Sequence, residues 1–399
     1  MAESLHARFD ATTVAQLRAR GLEKWASYPD DILGAFVAEM DFGIAPPIQQ
    51  RLREAVEGAQ TGYLTTPMFR DLNRATAAFL RRRHGWPVEA GHVHAMPDVM
   101  KALETMLRFH YPQGGPVIVP TPCYMPFLRF LTELGHAPVQ IPVVHDGTRF
   151  VLDHDAIDAA FANGARALLL CNPHNPVGRV YSREELLRLA EIVEKHGARV
   201  FSDEIHAPLV YPGNTPDTGR HVPYASVSEA AAAHAVTTVS ASKAWNLPGL
   251  KCAQIVFSND DDLRRFKRIE HHLTHGSTST LGLFATIAAY DHGEPWLSEV
   301  LGYLCGNRDF TAAFLRERLP QIRFDPPQGT YLAWLDCRAL GLPPPLGAWF
   351  RQHAKVALTD GRDCGDGFDH CVRLNLATPR PILAQVLERM ARAVEVHLS

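Results

Sequence analysis

The sequence predicts an α/β protein, with a mostly parallel central sheet in a large domain and a smaller α+β domain beside it. Three observations carry this expectation. Short apolar runs alternate with amphipathic helical stretches through the middle of the chain, the pattern of parallel strands joined by crossover helices. The apolar runs end in polar segments rich in Pro, Asn, Ser and Asp. After about residue 290 the texture changes, and two strand-like segments, PPQGTYLAWLD and CVRLNLATP, stand apart from the alternating pattern. At roughly 100 to 200 residues per domain, the 399 residues suit two or three domains. The expected boundaries are an N-terminal segment over 1–45 that packs with the small domain, a large domain over 46–288 and a small domain over 289–399.

Taken in order, Val117 to Pro120 reads as a strand. Ala165 to Cys171 (ARALLLC) is a continuous apolar run, as a parallel strand covered on both faces requires. Asn172 to Gly178 (NPHNPVG) is a loop by composition. It is stiffened by two Asn-Pro steps, and X-Pro bonds are the ones that adopt the cis form. Ser182 opens a helix with Glu185 three residues on, a capping box. Leu186, Leu189, Ala190 and Val193 then recur at helical spacing, and Gly197 is the stop. Ala198 to Ser202 is the next strand, with Asp203 at its end. Further strands fall at Val236 to Ser240 and Cys252 to Phe257, and a helix around Leu281 to Tyr290.

The formal net charge of -3 is small, and no dense basic run appears, so neither nucleic acid nor an anionic membrane is an expected partner. The N-terminus, MAESLHARFD, lacks the basic-then-apolar pattern of a signal peptide. No stretch approaches ~18 uninterrupted apolar residues. The expected location is the cytoplasm. Seven cysteines at irregular spacing, with no CxxC pair, suit reduced thiols; Cys364 and Cys371 are expected to be free thiols near the small domain. His271 and His275 lie four apart on an expected helix, but no further ligand accompanies them, so no metal is expected.

Ligands of parallel α/β sheets gather at the carboxyl ends of the strands. Asp203, in FSDEIH, stands at such an end. A carboxylate buried there needs a cationic partner, unless it simply caps a helix. Lys243, in SASKAWNLPGLK, is flanked by Ser240 and Ser242, small hydroxyls suited to a phosphate, and Lys251 adds a point charge. The start of a helix within MPDVMKAL offers the free N–H groups of Val99 and Met100 to the same anion. Asn172 carries an amide donor, and Tyr124, in PTPCYMPF, has a ring that can stack on a flat ligand. Arg373 lies inside an apolar strand, where it needs either a bound carboxylate, gripped bidentately, or an internal salt bridge. Together these residues meet the needs of pyridoxal 5'-phosphate (PLP): a lysine for a Schiff base, an acid for the pyridine nitrogen, donors for the phosphate and ring hydroxyl, and a stacking group.

In this order, together with KW at Lys24 and Trp25, AEMDF at Ala38 to Phe42, GY at Gly62 and Tyr63, CNPHNPVGR, SDEIH, SASKAWNLPGL and VRLNLATPR, the chain resembles the fold-type I PLP enzymes of the class I/II aminotransferase superfamily over nearly its whole length. Within them it is similar to the MalY/PatB cystathionine β-lyase (C–S lyase) group. The resemblance implies the aspartate aminotransferase fold. It implies Lys243 as the Schiff-base and proton-transfer lysine, Asp203 on the pyridinium, Asn172 on O3', Tyr124 on the ring face and Arg373 on the substrate α-carboxylate, with Ala38, Tyr63 and Asn172 also facing the substrate. Val99, Met100, Ser240, Ser242 and Lys251 would surround the phosphate. Tyr63 would reach the phosphate of a neighbouring subunit, which implies a homodimer with shared sites. His206 stands where true aminotransferases usually carry tyrosine and the lyase group carries histidine. The implied reaction is β-elimination from cysteine S-conjugates or cystathionine to thiol, pyruvate and ammonia. An aminotransferase, or a decarboxylating oxidative deaminase of a bulky S-linked cysteine, stands as the alternative. The chain departs from the group at Phe36 and Glu39 (FVAEMDF for WVADMDF), at Asp98, where glycine is usual, and at Lys251, where many aminotransferases have arginine.

Overall fold

Successive side chains of a strand point to opposite faces, so a strand that is apolar at every position needs cover on both sides. The run at Ala167–Cys171 behaves this way in the computed structural model, which describes residues 4–213, 219–269 and 278–398. Leu168 and Leu170 enter the core on one face, with Leu186, Leu189 and Val193. Ala167, Leu169 and Cys171 enter the core on the other, with Leu103, Met106 and Phe127. Each fully buried leucine contributes about 1.5–3 kcal/mol, so this alternation fixes the strand's register between two helical layers.

The strand is one of seven. In chain order they are β1 (Val93–Met96), β2 (Gly115–Thr121), β3 (His136–Pro142), β4 (Ala167–Cys171), β5 (Arg199–Asp203), β6 (Ala235–Val239) and β7 (Ala253–Phe257). Across the sheet they run β1-β7-β6-β5-β4-β2-β3. β7 is antiparallel to both its neighbours, and the other pairs are parallel. The expected strand over Ala198–Ser202 lies one residue further on. Asp203 itself pairs with Cys171 and Thr238, which keeps it inside the ladder.

The helices that position the site begin with α1 (Thr66–His84) and α2 (Val99–His110), followed by α3 (Arg183–Lys195) and α4 (Thr280–His292). α3 forms the expected capping box between Ser182 and Glu185. Arg179, the last residue of CNPHNPVGR, grips the same Glu185 with two hydrogen bonds of 2.7 and 2.6 Å. Gly178 sits at φ +71°, and a Cβ there would lie 2.2 Å from the Pro327 side chain. The glycine therefore lets this loop close on the PPQG segment, where Gln328 N donates to Gly178 O at 2.8 Å.

A second, antiparallel sheet of four strands follows α5 (Glu294–Arg318): β8 (Arg323–Phe324), β9 (Leu332–Asp336), β10 (Thr359–Asp360) and β11 (Cys371–Asn375), in the order β8-β9-β11-β10. It is backed by α6 (Arg380–Leu398), with Leu335, Val372, Val386 and Met390 in one core. Leu17, Trp25, Leu33 and Ala35 join that core, and Leu33–Gly34 pairs in parallel with Val356–Ala357. Phe9, Met40 and Phe42 belong instead to the core of the larger sheet, so the N-terminal segment bridges both. All seven cysteines are free. No helix among the described residues is long and apolar enough to cross a membrane. His271 and His275 lie outside the described residues.

Candidate active site

β1, β2, β4, β5 and β6 all point their carboxyl ends to one side of the sheet, and the antiparallel β7 begins there. Their following residues enclose a cavity of about 200 Å³. Val99 and Met100 come from the start of α2 after β1, Tyr124 from the turn after β2, and Asp203 and His206 from β5 and its exit. Ser240, Ser242 and Lys243 follow β6, and Lys251 precedes β7. Nine residues singled out from the sequence, contributed by five parts of the chain, thus line one space. Asp98, Asn175 and Ile205 line it as well.

Burial governs the electrostatics. The Asp203 carboxyl is held by a bond from Ile205 N at 3.1 Å, and burial raises its pKa to about 7. It caps no helix. Burial, reinforced by the neighbouring Arg373 charge, lowers the Lys243 ammonium to about 8. Lys243 Nζ donates to Ala38 O at 3.1 Å, and the Tyr331 hydroxyl donates to the same oxygen at 2.8 Å. His206 is buried, which lowers its ring to about 3 and keeps it neutral. Burial also raises the Tyr124 hydroxyl.

Asn172 and Arg373 border the cavity through their neighbours. Asn172 N donates to Asp203 O at 3.0 Å, and Asn172 Oδ1 accepts from Tyr181 N at 3.2 Å. Asn172 Nδ2 is buried without a hydrogen-bond partner among the described residues. Arg373 makes no salt bridge to a described carboxylate. It donates to Asn175 Oδ1 at 3.1 Å and to Phe36 O at 2.9 Å, and its Nε is buried without a partner among the described residues. Ser240 directs its hydroxyl to Cys252 O at 2.8 Å and accepts from Ser242 N at 3.1 Å, so its proton is already engaged. Tyr63 is 99% exposed and does not approach the cavity of its own chain.

Sequence reasoning overlooked the residues that hold these groups. Asn175 was visible only as part of the NPHNP loop, and Tyr331 only as part of GTYLAW. His174, in the same loop, bonds both the Tyr181 hydroxyl, at 2.6 Å, and Pro122 O, at 2.8 Å, which ties the loop to the turn carrying Tyr124. The peptide bonds Thr121-Pro122, Asn172-Pro173 and Asn175-Pro176 are cis. The KW and AEMDF motifs meet in a buried ion pair between Lys24 Nζ and Asp41 Oδ2, at 2.8 Å, with Trp25 Nε1 on Asp41 Oδ1, also at 2.8 Å. Glu39, between them, is half-buried. Burial raises its pKa, opposed chiefly by the Lys243 charge.

The profile of the aminotransferase class I and II family matches residues 37–390. The chain is 40% identical over 376 residues to a cystathionine β-lyase of Corynebacterium glutamicum, covering 94% of this chain and 97% of that protein. It is 32% identical to the cystathionine β-lyase PatB of Bacillus subtilis, covering 91% and 93%. Its fold superposes with a TM-score of 0.90 on cystalysin from Treponema denticola, a structure containing pyridoxal 5'-phosphate, at 26% identity and with 98% and 99% of the two chains covered.

Proposed function

The chain belongs to the aminotransferase class I and II family, and from that premise we propose that it is a PLP-dependent carbon–sulfur β-lyase of the MalY/PatB group. The observation that carries the cofactor is a buried acid beside one cavity together with a neighbouring buried amide that has no partner among the described residues. Asp203 is a buried acid with its pKa raised to about 7, and Asn172 Nδ2 is a donor with no acceptor among the described residues. A pyridine nitrogen and a ring hydroxyl oxygen would satisfy both. Val99 N, Met100 N, Ser242 and Lys251 would hold the phosphate at the start of α2, and Tyr124 would lie on the ring.

When bound, PLP supplies an electron sink for the pair left at the substrate Cα. Asp203 keeps a proton on the pyridine nitrogen. Arg373, already held by Asn175 and Phe36 O, grips the substrate carboxylate, and its buried Nε gains a partner. Lys243, lowered from the usual lysine range to about 8, is neutral in a far larger fraction near physiological pH than an exposed lysine, and takes the Cα proton in that form. A thiolate then leaves Cβ, a competent leaving group because thiol pKa values are ~8.5. The three-carbon product hydrolyses to pyruvate and ammonia. His206 is a neutral imidazole whose Nδ1 has no partner among the described residues; it occupies the position where a tyrosine hydroxyl would serve an aminotransferase. The same reading makes the protein a cytoplasmic homodimer, with 46–288 as the cofactor domain, 289–399 as the small domain and 1–45 bridging the two.

The test is turnover of S-substituted cysteines with no keto acid present. Pyruvate and free thiol should form over many cycles per cofactor. Accumulation of one equivalent of pyridoxamine phosphate, with turnover resuming only when a keto acid is added, would overturn the assignment in favour of an aminotransferase.

A further inference from the structure

The anion-binding corner of the cavity contains an anion of its own. Asp98 precedes α2 as its N-cap, and Asp98 Oδ1 accepts from Lys101 N at 2.8 Å. Its other oxygen lies 3.1 Å from Lys251 Nζ. Both residues line the cavity beside Val99, Met100, Ser240 and Ser242. The cation is placed there deliberately by the backbone. Lys251 has φ 47° and ψ 65°, a left-handed conformation that a side-chain-bearing residue adopts only when its surroundings impose it. Ser279 N holds its carbonyl at 3.1 Å, and Ser240 holds the next one, Cys252 O, at 2.8 Å.

A phosphate entering this corner meets two favourable features, the free N–H groups of α2 and Lys251. It also meets a carboxylate that has claimed the third helical N–H and the lysine. We propose that Asp98 is a built-in counter-anion that competes with the cofactor phosphate for Lys251 and so weakens the phosphate's hold on the protein. The inference rests on the PLP reading above and goes beyond it: the corner is tuned for an exchangeable phosphate. A phosphate monoester is largely a dianion above its second pKa of ~6, so the competition is strongest at neutral and alkaline pH. At this half-exposed pair the effect is modest, because solvent screens it.

Asparagine caps a helix as well as aspartate does, so Asp98→Asn removes the charge and keeps the cap. The cofactor-depleted wild type and the variant are titrated at pH 8 with PLP and, separately, with pyridoxal, the same ring without the phosphate. Asp98→Asn should bind PLP about fivefold more tightly and leave pyridoxal affinity unchanged, whereas Lys251→Ala should weaken PLP alone. If Asp98→Asn fails to tighten PLP, or tightens PLP and pyridoxal equally, Asp98 is a helix cap with no bearing on the phosphate. If the wild type binds neither compound, the cofactor assignment falls and this inference falls with it. Tight wild-type PLP binding with no response to Asp98→Asn removes the inference alone.

Discussion

Asp203 shows how a single residue can be costly to the empty fold and useful to the loaded one. Burial raises its pKa to about 7. A carboxyl with a raised folded-state pKa contributes stability that is fully present below the unfolded value of ~3.9 and is lost as pH rises through the folded value. The cofactor-free protein should therefore lose stability between about pH 4 and pH 7. Asp203→Asn lacks this titration. Its cofactor-free form should melt above the wild type at pH 8, with a smaller difference at pH 5, while its PLP affinity falls. Differential scanning calorimetry at the two pH values checks this; an equal difference at both would contradict it. Asp203 and Arg373 were legible in the sequence because a charge at or inside an apolar strand demands a partner, and Lys243 because Ser240 and Ser242 flank it and it follows Asn172 and Asp203 in the order the resembled family shows. Asn175 and Tyr331 were not, since their contacts, with Arg373 and with Ala38 O, span 198 and 293 residues of chain. No periodicity or propensity encodes such a meeting.

Among the elements, the 36–42 segment is the one whose conformation matters most to the site. Its carbonyls receive Arg373 at Phe36, Lys243 and Tyr331 at Ala38, and Asn246 Nδ2 at Met40, the last at 2.8 Å. The Lys24–Asp41 pair anchors its far end, with side chains 1% and 4% exposed. Breaking a buried pair by removing one member costs about 3–5 kcal/mol, because the remaining charge stays buried and uncompensated. Asp41→Ala should lower unfolding free energy by about that amount in urea titration. A loss under about 1 kcal/mol would mean that Lys24 escapes to solvent and the anchor is not structural. Helix α3 could be read from the sequence because its capping box and its apolar spacing agree. The pairing of Leu33–Gly34 with Val356–Ala357 could not, because two residues are too few to show a period.

For the whole molecule, the parallel sheet and the second sheet were both foreshadowed by the change from alternating helices and strands to isolated strand segments. The bridging of the two cores by residues 4–45 was not, since Phe9 and Leu17 differ in destination but not in type. Tyr63, almost fully exposed, has no role in its own chain's cavity, and a second subunit would give it one. Mixed dimers of Tyr63→Phe and Lys243→Ala chains should then recover about a quarter of wild-type activity, because half of randomly paired dimers contain one intact site of two. No recovery on mixing, or a fully active monomer in sedimentation, would rule out shared sites.

On this reading the cavity at the strand ends holds PLP on Lys243. Two lysines line that cavity, Lys243 and Lys251, so a linkage can be told apart within the site itself. Borohydride reduction of the purified holoenzyme fixes a Schiff base as a stable secondary amine, and peptide mapping then locates it. The pyridoxyl group should appear on the peptide containing Lys243 and be lost in Lys243→Ala. A pyridoxyl group on Lys251, or on any other lysine in the wild type, would contradict this reading.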